Sequence, residues 1–105
     1  MINKALKLVR QFHSIKQNEL ADTFCMSKSY LSEIESGKKP VSFDLLEKYS
    51  KKFDIPTSSL VFFSESLQQT KGISNTFRST FSGKILNIME WLINKNASEE
   101  SKIKD

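Results

Sequence analysis

The chain holds 105 residues, of which 38% are hydrophobic, 10% aromatic and 27% charged, which is the size and balance of one small folded domain with an appended element and excludes two full domains. Sixteen Lys and Arg against twelve Asp and Glu give a formal net charge of +4, a mild basic excess that permits a polyanionic partner without requiring one. A single cysteine, Cys25, excludes an internal disulfide, and with a single histidine, His13, the ligand inventory is too thin for a structural zinc site, so no metal is expected. Apolar runs such as Leu60-Val61-Phe62-Phe63 fall far short of the roughly 20 residues that cross a bilayer. The opening Met1-Ile2-Asn3-Lys4 carries no signal-peptide pattern, and the expectation is a cytoplasmic protein with no membrane association.

Ile2, Ala5, Leu6, Val9 and Phe12 share one helical face and predict a helix over about residues 3–13. A second, short helix follows from Gln17 through Leu20, Ala21 and Phe24, interrupted at Cys25-Met26-Ser27. Ser27 is a candidate N-cap for a third helix over residues 28–36, with Leu31 and Ile34 inward and Gly37 as its stop. After the loop Lys38-Lys39-Pro40, Ser42 can cap a fourth helix carrying Leu45, Leu46, Tyr49 and Phe53 inward. Asp54-Ile55-Pro56 breaks it before a short fifth helix over about residues 57–63. No segment shows strand periodicity. Residues 66–76, rich in Ser, Gln, Thr, Asn and Gly, read as a linker. An amphipathic helix is then expected over residues 77–94, with Gly83 as a weak point, and residues 95–105 as a polar, frayed tail.

The informative block is residues 17–36: helix, three-residue turn, helix. Such a pair crosses steeply only where the first helix offers a small residue, and Ala21 supplies one. Leu20, Phe24, Met26, Leu31 and Ile34 fill the angle, which leaves Lys28, Ser29, Ser32 and Glu33 pointing away from the core. That outward row is short, polar and able both to donate and to accept hydrogen bonds.

On these residues the sequence resembles the helix-turn-helix regulators of the Cro and phage-repressor type, the xenobiotic-response-element (XRE) family. Ser14-Ile15-Lys16-Gln17-Asn18-Glu19-Leu20-Ala21 is similar to the family's Gly-Leu-Thr-Gln-Glu-Glu-Leu-Ala. The stretch from Met26 through Glu33-Ile34-Glu35-Ser36-Gly37-Lys38 resembles its recognition helix and the turn after it. The resemblance covers about residues 3–64 and implies an all-α, five-helix, lambda-repressor-like DNA-binding bundle over residues 1–65. Its third helix would enter the major groove of double-stranded DNA. It also implies a structural ion pair between Arg10 of the first helix and Glu35 near the end of the recognition helix. Two positions depart from the pattern: where the family favours glycine, this chain has Ser14 and Cys25.

Within that frame Lys28 and Ser29, in the first turn of the recognition helix, are the candidates to meet base edges, with Ser32 and Glu33 one turn later. Glu33 either accepts from a cytosine amine or forms a structural salt bridge. Gln17 at the start of the second helix, Ser27 as cap, and Lys38 and Lys39 in the following loop are candidate phosphate contacts. Tyr30 either reaches a phosphate through its hydroxyl or packs against the loop. The reading is a sequence-specific transcriptional regulator, a repressor on a two-fold-symmetric operator.

Enzymatic chemistry finds no support. His13 and Cys25 have no catalytic company in the pattern, and His13 is better placed to cap the end of the first helix. Glu33 and Glu35, two apart on a helix, do not face each other, and glycines at 37, 72 and 83 build no phosphate-cradling loop. No catalytic residue and no cofactor is expected.

The C-terminal stripe of Phe77, Phe81, Ile85, Ile88, Met89 and Leu92 must be buried somewhere. It can fold back on its own bundle or pair with a second chain, and a homodimer through this helix is the expectation. The alternative is an antitoxin-like or adaptor protein of the same fold whose C-terminal helix binds a different protein.

Overall fold

A computed structural model of the chain describes residues 2–67 and 83–104, with side chains described to residue 96. Among the described residues there are six helices and no strand: α1 (Ile2–Phe12), α2 (Gln17–Thr23), α3 (Lys28–Glu35), α4 (Phe43–Phe53), α5 (Thr57–Ser66) and α6 (Lys84–Lys104).

The helix ends follow local chemistry. Ser27 and Ser42 both act as N-caps, their hydroxyls accepting from the backbone N–H of Tyr30 and of Leu45, each at 3.1 Å, which satisfies donors that the first turn leaves open. Three non-glycine residues take the left-handed conformation, Ser14 (φ 56°), Cys25 (φ 57°) and Asp54 (φ 54°). Each sits where the chain reverses between helices, so Ser14 and Cys25 adopt the backbone for which glycine is the default. Gly37 ends α3 at φ 88°, and its N–H closes onto the Ile34 carbonyl at 3.1 Å.

The core gathers the inward stripes of all six helices. Leu6 and Val9 of α1, Leu20 of α2, Leu31 of α3, Tyr49 of α4, Leu60 and Phe63 of α5 and Ile88 of α6 are all fully buried. Fully removing such side chains from water contributes about 1.5–3 kcal/mol each. Phe24 meets Tyr49 edge to face at 5.2 Å, which joins the α2–α3 corner to α4.

The C-terminal segment differs from the sequence expectation in two ways. Gly83 has φ +73°, outside the right-handed helical region, so the helix begins at Lys84 and does not run through Gly83 from residue 77. It then continues to Lys104, across the stretch expected as a frayed tail. Of the linker expected at residues 66–76, Ser66 belongs to α5; residues 68–76, with Phe77 and Phe81, lie outside the described residues.

Helix α6 lies against α1 and α5 of its own chain. Ile85 is 3% exposed and Ile88 is fully buried, with Met89, Trp91 and Leu92 packed against the same core. Trp91 stands edge to face on Phe12 at 5.6 Å. At its start Lys84 Nζ donates to the Phe53 carbonyl at 2.8 Å, which engages an open carbonyl at the end of α4. Of the two fates open to the stripe, Ile85 and Ile88 take the intramolecular one.

Candidate nucleic-acid interface

The site is organised around Glu35, the last residue of α3. Its side chain is 2% exposed and that of its partner Arg10 9%. Arg10 Nε donates to Glu35 Oε2 at 2.9 Å and Nη2 donates to Oε1 at 2.9 Å, a bidentate pair, while Nη1 reaches the Ile15 carbonyl at 2.8 Å. Gln17 Nε2 donates to Oε1 at 2.9 Å and the Tyr49 hydroxyl donates to Oε2 at 3.0 Å. Asn3 Nδ2 adds a bond to the Glu35 carbonyl at 3.2 Å. One carboxylate therefore ties α1, α2, α3 and α4 together, and among the described residues no buried side-chain N or O lacks a partner. A buried charge is tolerable only under such saturation. Burial, with the adjacent Glu35 charge, pushes the Tyr49 phenol far above its ordinary value, so the hydroxyl stays protonated and keeps donating.

Two of these contacts, from Tyr49 and Gln17, carry no mark in the sequence patterns. Tyr49 occupies an inward position on the α4 stripe like any aromatic, and the usable signal is that a buried phenol needs an acceptor. Gln17 was expected at a phosphate through both its side chain and its backbone N–H. Its side-chain amide nitrogen is turned inward to Glu35, so the backbone N–H at the start of α2 is the group left to face outward.

The opposite side of α3 is open. Ser27, Lys28, Ser29, Tyr30 and Ser32 are exposed and project from the first turns of a helix whose far end is held by Glu35. Glu33 is partly covered and pairs with Lys39, Oε2 to Nζ at 2.9 Å. The hydrogen bond and charge of Lys39 hold the Glu33 carboxyl below its ordinary value, and the same contact raises Lys39. Lys39 Nζ also lies over the Tyr30 ring, 4.8 Å from its centre. The backbone N–H groups of Lys38 and Lys39 both donate to the Glu33 carbonyl, at 2.9 and 3.2 Å, so the loop is folded against the helix and presents its lysines along the same edge. In the chain by itself Glu33 is held in a salt bridge and Tyr30 lies beneath a loop lysine.

His13 and Cys25 stand apart from this surface. His13 Nδ1 lies 2.7 Å from the Val9 carbonyl, and its ring meets Phe12 edge to face at 5.1 Å and lies tilted against Phe53 at 4.5 Å, a helix-end arrangement. Cys25 is exposed in the α2–α3 turn. Among the described residues no group of His, Cys, Asp and Glu is placed to hold a metal ion, and no helix is long and apolar enough to cross a membrane.

Two short helices joined by the four-residue turn Phe24-Cys25-Met26-Ser27, the second offering an exposed polar first turn and braced from behind, define a helix-turn-helix DNA-binding domain. The helix-turn-helix family model matches residues 6–60, more than half of the chain. The chain thus belongs to the Cro/C1-type helix-turn-helix family, the XRE family, and is a DNA-binding regulator of that type, in a family that binds double-stranded DNA and is generally non-enzymatic. Neither the curated proteins nor the solved structures compared with the chain gave a match.

Proposed function

We propose that the chain is a transcriptional repressor that binds, as a homodimer, an operator with two-fold character. Lys28, Ser29 and Ser32 read base edges in the major groove, Lys28 donating to guanine O6 or N7. Glu33 contributes by holding Lys39 and, where a cytosine amine is presented, by accepting from it. Ser27, the backbone N–H of Gln17, Tyr30, Lys38 and Lys39 fix the register on phosphates. Repression follows from occupancy, the bound dimer blocking polymerase.

The observation that carries this reading is the pairing of an exposed first turn of α3 with a last turn tied down by hydrogen bonds. Lys28 and Ser29 project outward while the Glu35 carboxylate accepts from three side chains of three other helices. A surface that presents donors and acceptors from a rigid element is what base readout needs, because a hydrogen bond misplaced by an ångström discriminates nothing.

The second copy is assigned to surfaces that stay exposed. Ile85 and Ile88 are spent on their own core, which also weakens the antitoxin or adaptor alternative, since that reading needs the same stripe free. Among the described residues Phe43 at 67% exposure, Val61 at 42% and Ile93 at 42% are apolar groups available for an interface, flanked on α6 by Met89 and Leu92.

Selection of bound sequences from a random duplex pool at about 50 mM salt, where electrostatic attraction is strong, tests the reading. The expected product is a pseudo-palindrome with half-sites about one DNA turn apart. Absence of enrichment overturns the DNA-binding assignment for these residues, and a single asymmetric site overturns the homodimer.

A further inference from the structure

We propose that the groove between the end of α2 and the C-terminal half of α4 binds a small amphipathic organic anion, an aromatic or aliphatic carboxylate or sulfonate, and that its occupation resets the recognition helix. The groove has a volume of about 430 Å³ and is lined by Thr23, Phe24, Cys25, Lys48, Lys51 and Lys52. That volume lies in the range of small-molecule sites, roughly 300–1,000 Å³. Phe24, only 6% exposed, forms an apolar floor with the Thr23 methyl and the lysine stems. The three lysines sit three and four residues apart, on one face of α4.

Charge selects the occupant. None of Lys48, Lys51 and Lys52 has an ion-pair partner among the described residues, so three exposed lysines border an apolar floor without a carboxylate paired to them. Lys51 and Lys52 also complement the negative end of the α4 dipole, but that role needs neither Lys48 nor a cavity. A second groove of similar volume, between α4 and α5, contains Phe43, Val61 and Glu65 among its lining and no basic residue, and it would repel an anion. Beside Asp54 and Pro56, Lys84 is already engaged by the Phe53 carbonyl and lies 3.7 Å from Asp54.

The floor is mechanically connected to the DNA-facing helix at both ends. Phe24 precedes the turn that leads into the Ser27 cap of α3. Its ring also packs on Tyr49 at 5.2 Å, and the Tyr49 hydroxyl holds Glu35 at the other end of α3 at 3.0 Å. A ligand wedged against Phe24 therefore bears on the start of α3 directly and on its end through Tyr49. The effect on DNA rests on the DNA-binding reading above; binding to the groove does not, and the two fail separately.

The test is titration of the full-length chain with 1-anilinonaphthalene-8-sulfonate, followed by dye fluorescence and by amide NMR. The expected result is one-to-one binding with shifts concentrated on residues 23–25 and 48–52. The neutral analogue N-phenyl-1-naphthylamine binds about tenfold more weakly, and the triple variant K48Q/K51Q/K52Q loses about tenfold for the sulfonate, three exposed charge contacts together supplying roughly that factor. Thr23→Trp, which fills the groove without changing its charge, blocks the dye as well. Shifts confined to Phe43 and Val61, or equal affinity in the triple variant, overturn the site. On the selected operator the dye is expected to change DNA affinity severalfold in the parent and not in the triple variant. Dye binding that leaves operator affinity unmoved overturns the coupling, and a triple variant that loses DNA while keeping the dye assigns the lysines to phosphate and overturns the ligand site.

Discussion

Arg10 and Glu35 meet as a bidentate ion pair, Nε to Oε2 and Nη2 to Oε1 both at 2.9 Å, where only 9% and 2% of the two side chains remain exposed. The pair is therefore a commitment of the fold. Removing one partner leaves a buried charge with incomplete compensation, which costs about 3–5 kcal/mol. Arg10→Met is expected at the low end, because Gln17 and Tyr49 still donate to Glu35, and the double variant Arg10→Met/Glu35→Leu is expected to recover part of the loss. Urea unfolding of the two single variants and the double variant measures this; a loss below about 1 kcal/mol in Arg10→Met would show that the pair is not fully desolvated.

Tyr49 gives the network a pH signature. The phenol is buried against Glu35, and its folded pKa lies above the ordinary 10.0. A raised folded pKa means that the stabilisation is fully present below the unfolded value and is lost as pH rises through and beyond it. Unfolding free energy is thus expected to fall with increasing alkalinity from about pH 10 upward. Tyr49→Phe removes this slope while lowering stability at neutral pH by about 1–3 kcal/mol, the cost of an under-satisfied carboxylate oxygen. Chemical denaturation of both proteins at pH 7, 9 and 11 decides it, and an identical alkaline slope in the two would refute the assignment.

The pH argument also marks what the sequence could and could not convey. The Arg10–Glu35 pair was accessible through the resemblance, and the caps Ser27 and Ser42 through local pattern, because a cap acts within three residues. The Gln17 and Tyr49 bonds to Glu35 span 18 and 14 residues, and such contacts leave no periodic trace; a tyrosine on an apolar stripe looks like core until its acceptor is located. The α6 stripe shows the complementary limit. Its spacing states that Ile85 and Ile88 must be buried, but a hydrophobic face carries no label for the surface that buries it, and the bundle's own α1 and α5 provide it.

That placement separates two apolar surfaces by experiment. Ile88 is fully buried within one chain, so Ile88→Asp forces an unpaired carboxylate into the core and is expected to lower stability by about 3 kcal/mol or more. Phe43, 67% exposed, and Val61, 42% exposed, contribute little to the single chain, and Phe43→Asp with Val61→Asp should leave the unfolding midpoint nearly unchanged while weakening self-association. Sedimentation equilibrium beside thermal unfolding distinguishes the two; a stable, dissociated Ile88→Asp protein would return the α6 stripe to the dimer interface.

Ser14 and Cys25 hold φ of 56° and 57°, where a side chain costs about 1–2 kcal/mol. Glycine relieves that strain but adds about 0.5–1 kcal/mol of chain entropy to be lost on folding. Ser14→Gly and Cys25→Gly are therefore each expected to stabilise by roughly 0.5–1 kcal/mol, additively, since each sits in its own turn. Denaturant midpoints check this, and destabilisation by either would show that its side chain makes a contact worth more than the strain.

The lysines around α3 divide by what they touch. Lys28 is exposed in the first helical turn, and Lys28→Ala is expected to relax the selected sequence at one position per half-site and to cost about 1–3 kcal/mol on the preferred operator but little on others. Lys38→Ala should weaken all duplexes alike and reduce the slope of log affinity against log salt by about one per half-site. Lys39 differs from both, because its ammonium is bound to Glu33 at 2.9 Å. Glu33 is held below its ordinary value, so its half of the pair is present above that value and lost as pH falls; Lys39 is held above its own, so its half persists until pH rises past it. Around neutral pH the pair is fully charged, and Lys39→Ala frees a carboxylate at the groove edge as well as removing a cation. Its loss of affinity is therefore expected to exceed that of Lys38→Ala, and Glu33→Gln in the same background should restore part of it. Fluorescence anisotropy across a salt series with operator and unrelated duplexes measures all three, and equal behaviour of Lys38→Ala and Lys39→Ala would mean that the ion pair opens on binding DNA.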